Sequence, residues 1–177
     1  MEGLVLDALA GEDRETTLTP DAVLEIRAWL RLLTCTTMIE RHIRTLLTKR
    51  FETTLPRFDA LAQLERCPDG LTMGQLSRRM MVSNGNVTGV VDRLAEDGLV
   101  ERIAIPGDRR ANRVRLTIKG RKIFGRMTPA HHAHVHAMLA DVVPADLETL
   151  HALLGTLKAS ILAAEERGTL DHESETR

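Results

Sequence analysis

The stretch that most constrains this chain runs from Leu71 to Leu116, where two helix-start signatures follow each other and give way at once to a basic, alternating segment. Thr72 followed by Gln75 has the form of a capping box, in which a hydroxyl and an amide satisfy each other's free backbone N–H groups. Leu71 and Leu76 occupy the positions that staple such a cap. The spacing predicts a helix starting at Thr72. Ser83 can cap the next one, with Val82 and Val87 in the same staple relation. Its inner face would be Val87, Val90 or Val91, and Leu94, and Gly98 stands where a left-handed residue would close it, followed by apolar Leu99.

After that helix the period changes. Residues 99–105 and 112–116 alternate, with Val114 and Leu116 on one side and Arg113 and Arg115 on the other. Between them Pro106-Gly107-Asp108-Arg109-Arg110 reads as a turn with cations at its tip, which makes the pair a basic β-hairpin. Helix, tight turn, helix and basic hairpin together predict a winged helix-turn-helix whose second helix is sized for the DNA major groove. That helix would expose Ser83, Asn84, Asn86, Thr88 and Arg93. Asparagine suits bidentate pairing with adenine, whereas serine and threonine are less selective or bind phosphate. Thr72, Arg109, Arg110 and Arg113 complete the set expected at DNA.

Charge distribution supports a duplex partner. The formal charge of the 177 residues is -1, yet residues 78–122 hold eleven Arg and Lys against five Asp and Glu, a local +6, while the chain's end is acidic. With one Trp, three Phe and no Tyr, the stacking platforms of single-strand and RNA modules are missing, so double-stranded DNA is the favoured polymer. No glycine-rich phosphate loop, nucleophile elbow or paired metal motif points to an enzyme, and no cofactor is implied.

The flanks read as long helices. From Pro20 to Phe51, Leu24, Ala28, Leu32, Cys35, Ile39, Ile43 and Leu47 step by three or four, and a second stripe at Trp29, Leu33 and Thr37 widens that apolar face. A shorter helix is expected from Pro56 to Arg66, ended by Cys-Pro-Asp-Gly. Thr117 can cap a fifth helix threading Ile123, Met127, Val135, Met138 and Leu139, and Pro144 starts a sixth. The sixth carries Leu147, Leu150, Leu153, Leu154, Leu157, Ile161 and Leu162, more than one small domain covers, so a partner helix from a second copy is expected.

The fold class is thus mainly α with a small β-hairpin wing, a winged helix-turn-helix domain plus a helical dimerisation region. We divide it into a mobile arm (1–18), a dimerisation region (19–54 with 118–167), a DNA-binding domain (55–117) and an acidic tail (168–177). The opening residues lack the charge-then-apolar order of an export signal, and no run is long enough for a membrane span, so a cytoplasmic protein with no membrane partner is expected.

The segments LTMGQLSRRMMVSNGNVTGVVDRLAEDGLVER and PGDRRANRVRLTIKG resemble the MarR family of bacterial transcriptional regulators, most specifically in the Asp-Arg-Arg wing followed by Val-x-Leu-Thr-x-x-Gly. The resemblance implies a homodimer formed by the first, fifth and sixth helices on a pseudo-palindromic operator. It also implies that Asp108 fixes Arg110 at the base of the wing while Arg109 reaches the minor groove. Gly89 stands where many relatives carry a larger, often basic residue, which shifts readout onto Asn84, Asn86 and Thr88.

Relatives often bind a small organic acid beside the dimer helices, which makes a repressor released by an effector the expected mode. Arg27, Arg31, Thr34, Met38 and Arg41 follow one stripe, read here as lying beside Trp29. Arginine forks suit a carboxylate, although a solvated basic helix face has the same pattern. The segment WLRLLTCTTMIERHIRTLL resembles regulators of aromatic-acid catabolism, which implies an aromatic carboxylate or its coenzyme A thioester. Alternatives are a metal-responsive regulator through His131, His132, His134 and His136, a redox-responsive one through Cys35, or a DNA-binding protein with no effector. The histidines read more simply as an exposed turn lacking a closed ligand set, so no metal is assigned, and Cys35 reads as buried on the apolar stripe.

Overall fold

The computed structural model describes residues 23–105 and 108–169, and side chains throughout those ranges except 105–111. The expected N-terminal arm, the Pro20 start of the first helix and most of the acidic tail lie outside the described residues. Among those described are six helices and a three-stranded sheet: α1 (Leu24–Phe51), α2 (Leu55–Glu65), β1 (Leu71–Thr72), α3 (Met73–Met80), α4 (Asn84–Glu96), β2 (Val100–Ile105), β3 (Asp108–Leu116), α5 (Ile118–Met138) and α6 (Pro144–Glu166). They divide into two compact units, one up to Val135 and one from His136.

The core of the first unit is built around α2, whose Phe58, Ala60, Leu61 and Leu64 are all buried. Pro56 fits the first turn because its missing N–H would have had no partner there. Leu47 of α1, Leu76 of α3, Val87, Val91 and Leu94 of α4, and Val114 and Leu116 of β3 complete the interior. The apolar stripe of α1 is buried only toward its C-terminal end, at Ile43 and Leu47. Leu24, Ala28 and Cys35 are exposed, which corrects the expectation that Cys35 is buried. Periodicity identified the helix face but could not say how much of it a single chain covers.

Sheet order is β1-β3-β2, antiparallel throughout. The hairpin aligns Val100 with Leu116 and Arg102 with Val114, and its register slips between Ala104 and Ile105. Strand β1 was not anticipated. Leu71 and Thr72, read from sequence only as staple and cap, also pair with Val114 and Arg113 and so attach the start of α3 to the wing. Gly70 makes this approach possible: its φ is +81°, and an added Cβ would lie 2.7 Å from the Val114 carbonyl oxygen.

In the second unit α6 starts at Pro144, as the sequence predicts, and none of its residues is buried in the single chain. Leu153 is 62% exposed, and Leu150, Leu157 and Ile161 are exposed with it.

Candidate nucleic-acid interface

Helices α3 and α4 are set by the local signals that predicted them. The Thr72 N–H donates to Gln75 Oε1 at 2.9 Å and the Gln75 N–H donates to Thr72 Oγ1 at 3.2 Å, a complete capping box. Ser83 caps α4 by accepting from the Asn86 N–H at 3.4 Å. The turn between the helices closes through Met81, whose φ is +52°, with the Val82 N–H donating back to the Ser77 carbonyl at 3.2 Å.

With Val87, Val91 and Leu94 buried, α4 turns Asn84, Asn86, Thr88 and Arg93 outward. Asn86 and Arg93 are seven residues apart and therefore share one line along the helix. Thr88 lies on the opposite flank, and between the flanks run Gly85 and Gly89, neither of which has any atom within 4 Å of an added Cβ. Over the first two turns of α4 the centre of the exposed face is bare backbone between two polar margins. Thr72, Ser83 and Thr88 spend their hydroxyls locally, Thr88 donating to the Asn84 carbonyl at 2.9 Å. The side chains of Asn84, Asn86 and Arg93 are committed to no other described residue.

The cations of the basic segment 78–122 do not all stand alike. Arg102 pairs with Asp92 of α4, and Arg115 with Glu101 at 2.7 Å, so two of them are tied within the lobe. Arg79 donates to Cys67 Sγ at 2.9 Å. Arg78, Arg93 and Arg113 have no ion-pair partner among the described residues. Arg113 lies on the central strand between Thr72 and Ile103, which places it at the head of α3. The wing-tip side chains Asp108, Arg109 and Arg110 lie outside the described ones, although the backbone of 108–110 belongs to β3.

The stripe Arg27, Arg31, Thr34, Met38 and Arg41 lies on one continuous helix, largely exposed, with Thr34 half-buried. At about 100° per residue it points away from the buried Ile43–Leu47 side, and Trp29 falls on that other side instead of beside the stripe. The four histidines lie on helix α5, not on a turn. His131 stacks on Phe58 with ring centroids 4.8 Å apart, and His134 is 6.2 Å from His42. Burial, then the neighbouring His132 and His134, hold the His131 pKa below the ordinary histidine value. Among the described residues no group of three or more His, Cys, Asp or Glu is placed to hold a metal ion.

A capped helix pair, a three-stranded wing and an outward polar helix face define a winged helix-turn-helix DNA-binding protein. The MarR family profile matches residues 52–111. The "Transcriptional activatory protein BadR" of Rhodopseudomonas palustris is 32% identical over 143 residues, covering 77% of this chain and 81% of its own. A MarR family transcriptional regulator from Silicibacter pomeroyi superposes with a TM-score of 0.64 at 34% identity, covering 77% of this chain and 94% of that one. Sco3205, a MarR family regulator from Streptomyces coelicolor solved in complex with DNA, shares the fold with a TM-score of 0.71 at 20% identity, over 80% of this chain and 91% of its own. The chain belongs to the MarR family: it is a DNA-binding transcriptional regulator, not an enzyme.

Two positions that organise this lobe had no signal in the sequence. Arg57 and Asp97 form an ion pair across forty residues, and only the tertiary fold brings them together. The Asp92–Arg102 pair, across ten residues, could have been found by asking which carboxylate on α4 faces the first wing strand.

Proposed function

We propose that this regulator acts in the cytoplasm as a homodimer on a pseudo-palindromic operator. The observation that carries the reading is the outward face of α4, where Asn84, Asn86 and Arg93 are uncommitted to other described residues beside a wing held to the same lobe. Asn86 and Asn84 read base edges, Arg93 and Arg113 meet phosphates, and Thr72, Ser83 and Thr88 orient the helix while offering their remaining lone pairs. Arg109 enters the minor groove, and Asp108 directs Arg110 at the wing's base. Residues 55–117 form the DNA-binding domain; 19–54 and 118–167 form the dimerisation region, for which the exposed leucines of α6 supply the apolar surface.

The dimer represses by occupying its operator and is released by a small organic acid, best an aromatic carboxylate or its coenzyme A thioester. Arg27, Arg31 and Arg41 supply carboxylate-binding forks on one face of α1, with Thr34 and Met38 in the same stripe, while Trp29 lies on the opposite face and takes no part in it. The test is release of the protein from its own upstream DNA by a panel of aromatic acids and thioesters, read with transcription in vitro. The relative BadR is described as activatory, so the sign of regulation is measured directly. Release by an acid together with increased transcription supports repression; loss of transcription on release reverses the sign. A second reading rests on the exposure of Cys35, which makes an oxidant the release signal. Peroxide that releases the parent but not Cys35→Ser would favour it.

A further inference from the structure

Asp97 caps the C-terminal end of α4 directly after Glu96, at the end of a helix where the backbone dipole already leaves partial negative charge. A carboxylate there works against the helix unless cations meet it, and two arrive from other elements. Arg57 of α2 forms an ion pair with the Asp97 carboxylate. Lys119, in the first turn of α5, donates from Nζ to the Asp97 carbonyl oxygen at 2.7 Å.

The arginine is committed to this contact. Its side chain is only 20% exposed, and its Nε is buried with no hydrogen-bond partner. Withdrawing a guanidinium from water is unfavourable unless a paired anion offsets it, and Asp97 is its ion-pair partner among the described residues. Asp97 itself is half-exposed, so it would stay hydrated without Arg57.

The α5 side of the junction is equally tight. Thr117 Oγ1 donates to the Gly98 carbonyl at 2.8 Å and accepts from the Gly120 N–H at 3.0 Å. Gly120 lies so close to Leu99 that an added Cβ would come within 2.0 Å of its carbonyl oxygen. The end of α4 is therefore braced to α2 by one charge pair and to α5 by a seam of short contacts.

We propose that Arg57, acting through Asp97, is a positioning residue for DNA recognition: it sets the angle of α4 against α2 and α5, and thereby the half-site spacing that the dimer accepts. The inference rests on the operator-binding reading above. Arg57 touches no base or phosphate in this role; it decides where Asn86 and Arg93 arrive.

The experiment first selects an operator from random duplexes with the parent protein, then adds or removes one base pair between the half-sites. Parent, Arg57→Met, Arg57→Lys and Asp97→Asn are titrated on these duplexes and on a scrambled one, with thermal unfolding of each variant to establish that it is folded. Arg57→Met and Asp97→Asn are expected to lose about tenfold on the operator, within the range for groups that act as a pair, while staying within about twofold on scrambled DNA. Their preference for the selected spacing flattens, and Arg57→Lys recovers most of it.

Removing the negative charge of Asp97 would, by electrostatics alone, tighten binding to every duplex, so its expected sign is diagnostic. The proposal is overturned if Asp97→Asn tightens binding, if losses are equal on operator and scrambled DNA, or if both variants keep the parent's affinity and spacing preference. If Arg57→Met does not fold, Asp97→Asn alone decides, since its carboxylate is half in solvent. A parent that selects no operator would instead remove the operator-binding reading itself.

Discussion

Gly120 shows how much one residue can decide. The Leu-Thr-x-x-Gly run exists because Thr117 caps α5 while Gly120 passes over the Leu99 carbonyl, where even a methyl group meets backbone that cannot step aside. Gly120→Ala is expected to destabilise by about 3 kcal/mol or more, the upper range for overpacking, measured as a lowered denaturation midpoint. Gly98 also has positive φ but open space around it, so Gly98→Ala should show only conformational strain, a smaller loss. Two titrating groups act at this scale as well. His131, held below the ordinary value of 6.5 by burial and then by His132 and His134, is neutral when folded more readily than when unfolded. Its contribution is complete above that value and lost as the pH falls through it toward the folded pKa. Asp59 behaves oppositely: burial and then Glu40 raise its pKa above 3.8 against the pull of Arg44, so its favourable contribution exists below 3.8 and disappears as the pH rises through the folded value. Asp59→Asn should therefore raise the unfolding temperature at pH 7 and lose that advantage on acidification, whereas His131→Phe should flatten the fall in stability below pH 6.5. Unfolding followed across pH checks both.

At the scale of the element, α4 is held by its cap and its valine–leucine face, which leaves its outer surface free to vary. Asn86→Ala is expected to weaken operator binding while scrambled DNA is bound as before, because an amide that reads base edges is removed and phosphate contacts stay. Equal losses on both duplexes would show that Asn86 reads no base. Gly89 offers the converse experiment. Nothing lies within 4 Å of its added Cβ, and arginine is a better helix former than glycine by nearly 1 kcal/mol, so Gly89→Arg should stabilise the fold. It should also tighten binding to all duplexes and steepen the salt dependence by about one phosphate contact. Titration of both duplexes at several salt concentrations, beside thermal unfolding, measures each part.

The whole molecule carries an apolar helix that the single chain leaves uncovered. Leu150, Leu153, Leu157 and Ile161 of α6 are all exposed, and burying such side chains is worth about 1.5–3 kcal/mol apiece. The proposed homodimer would cover them. Sedimentation at micromolar concentration is expected to give a dimer, and Leu153→Glu combined with Leu157→Glu a monomer that keeps its helix content but loses operator affinity. A parent that sediments as a monomer would count against the dimer.

The local signals in this chain were legible because they act over three to five residues. Thr72 with Gln75, Ser83, Thr117 and Pro144 each satisfy or tolerate backbone groups at a helix start, and no distant partner is needed for that. The hairpin alternation and the outward set Asn84, Asn86 and Arg93 followed from the same short-range periods. What tertiary structure decided depends on contacts far apart in sequence. Cys35 shares the period of Ile43 and Leu47 but not their burial, because burial depends on what packs against that length of α1. Trp29 and the arginine stripe were separated by the continuity of one helix. Strand β1 had no sequence pattern of its own: two residues become a strand only when β3 lies beside them. The brace at Asp97 belongs to the same class, since a carboxylate at a helix end reads as unfavourable until the fold brings Arg57 to that carboxylate and Lys119 to the backbone carbonyl of the same residue.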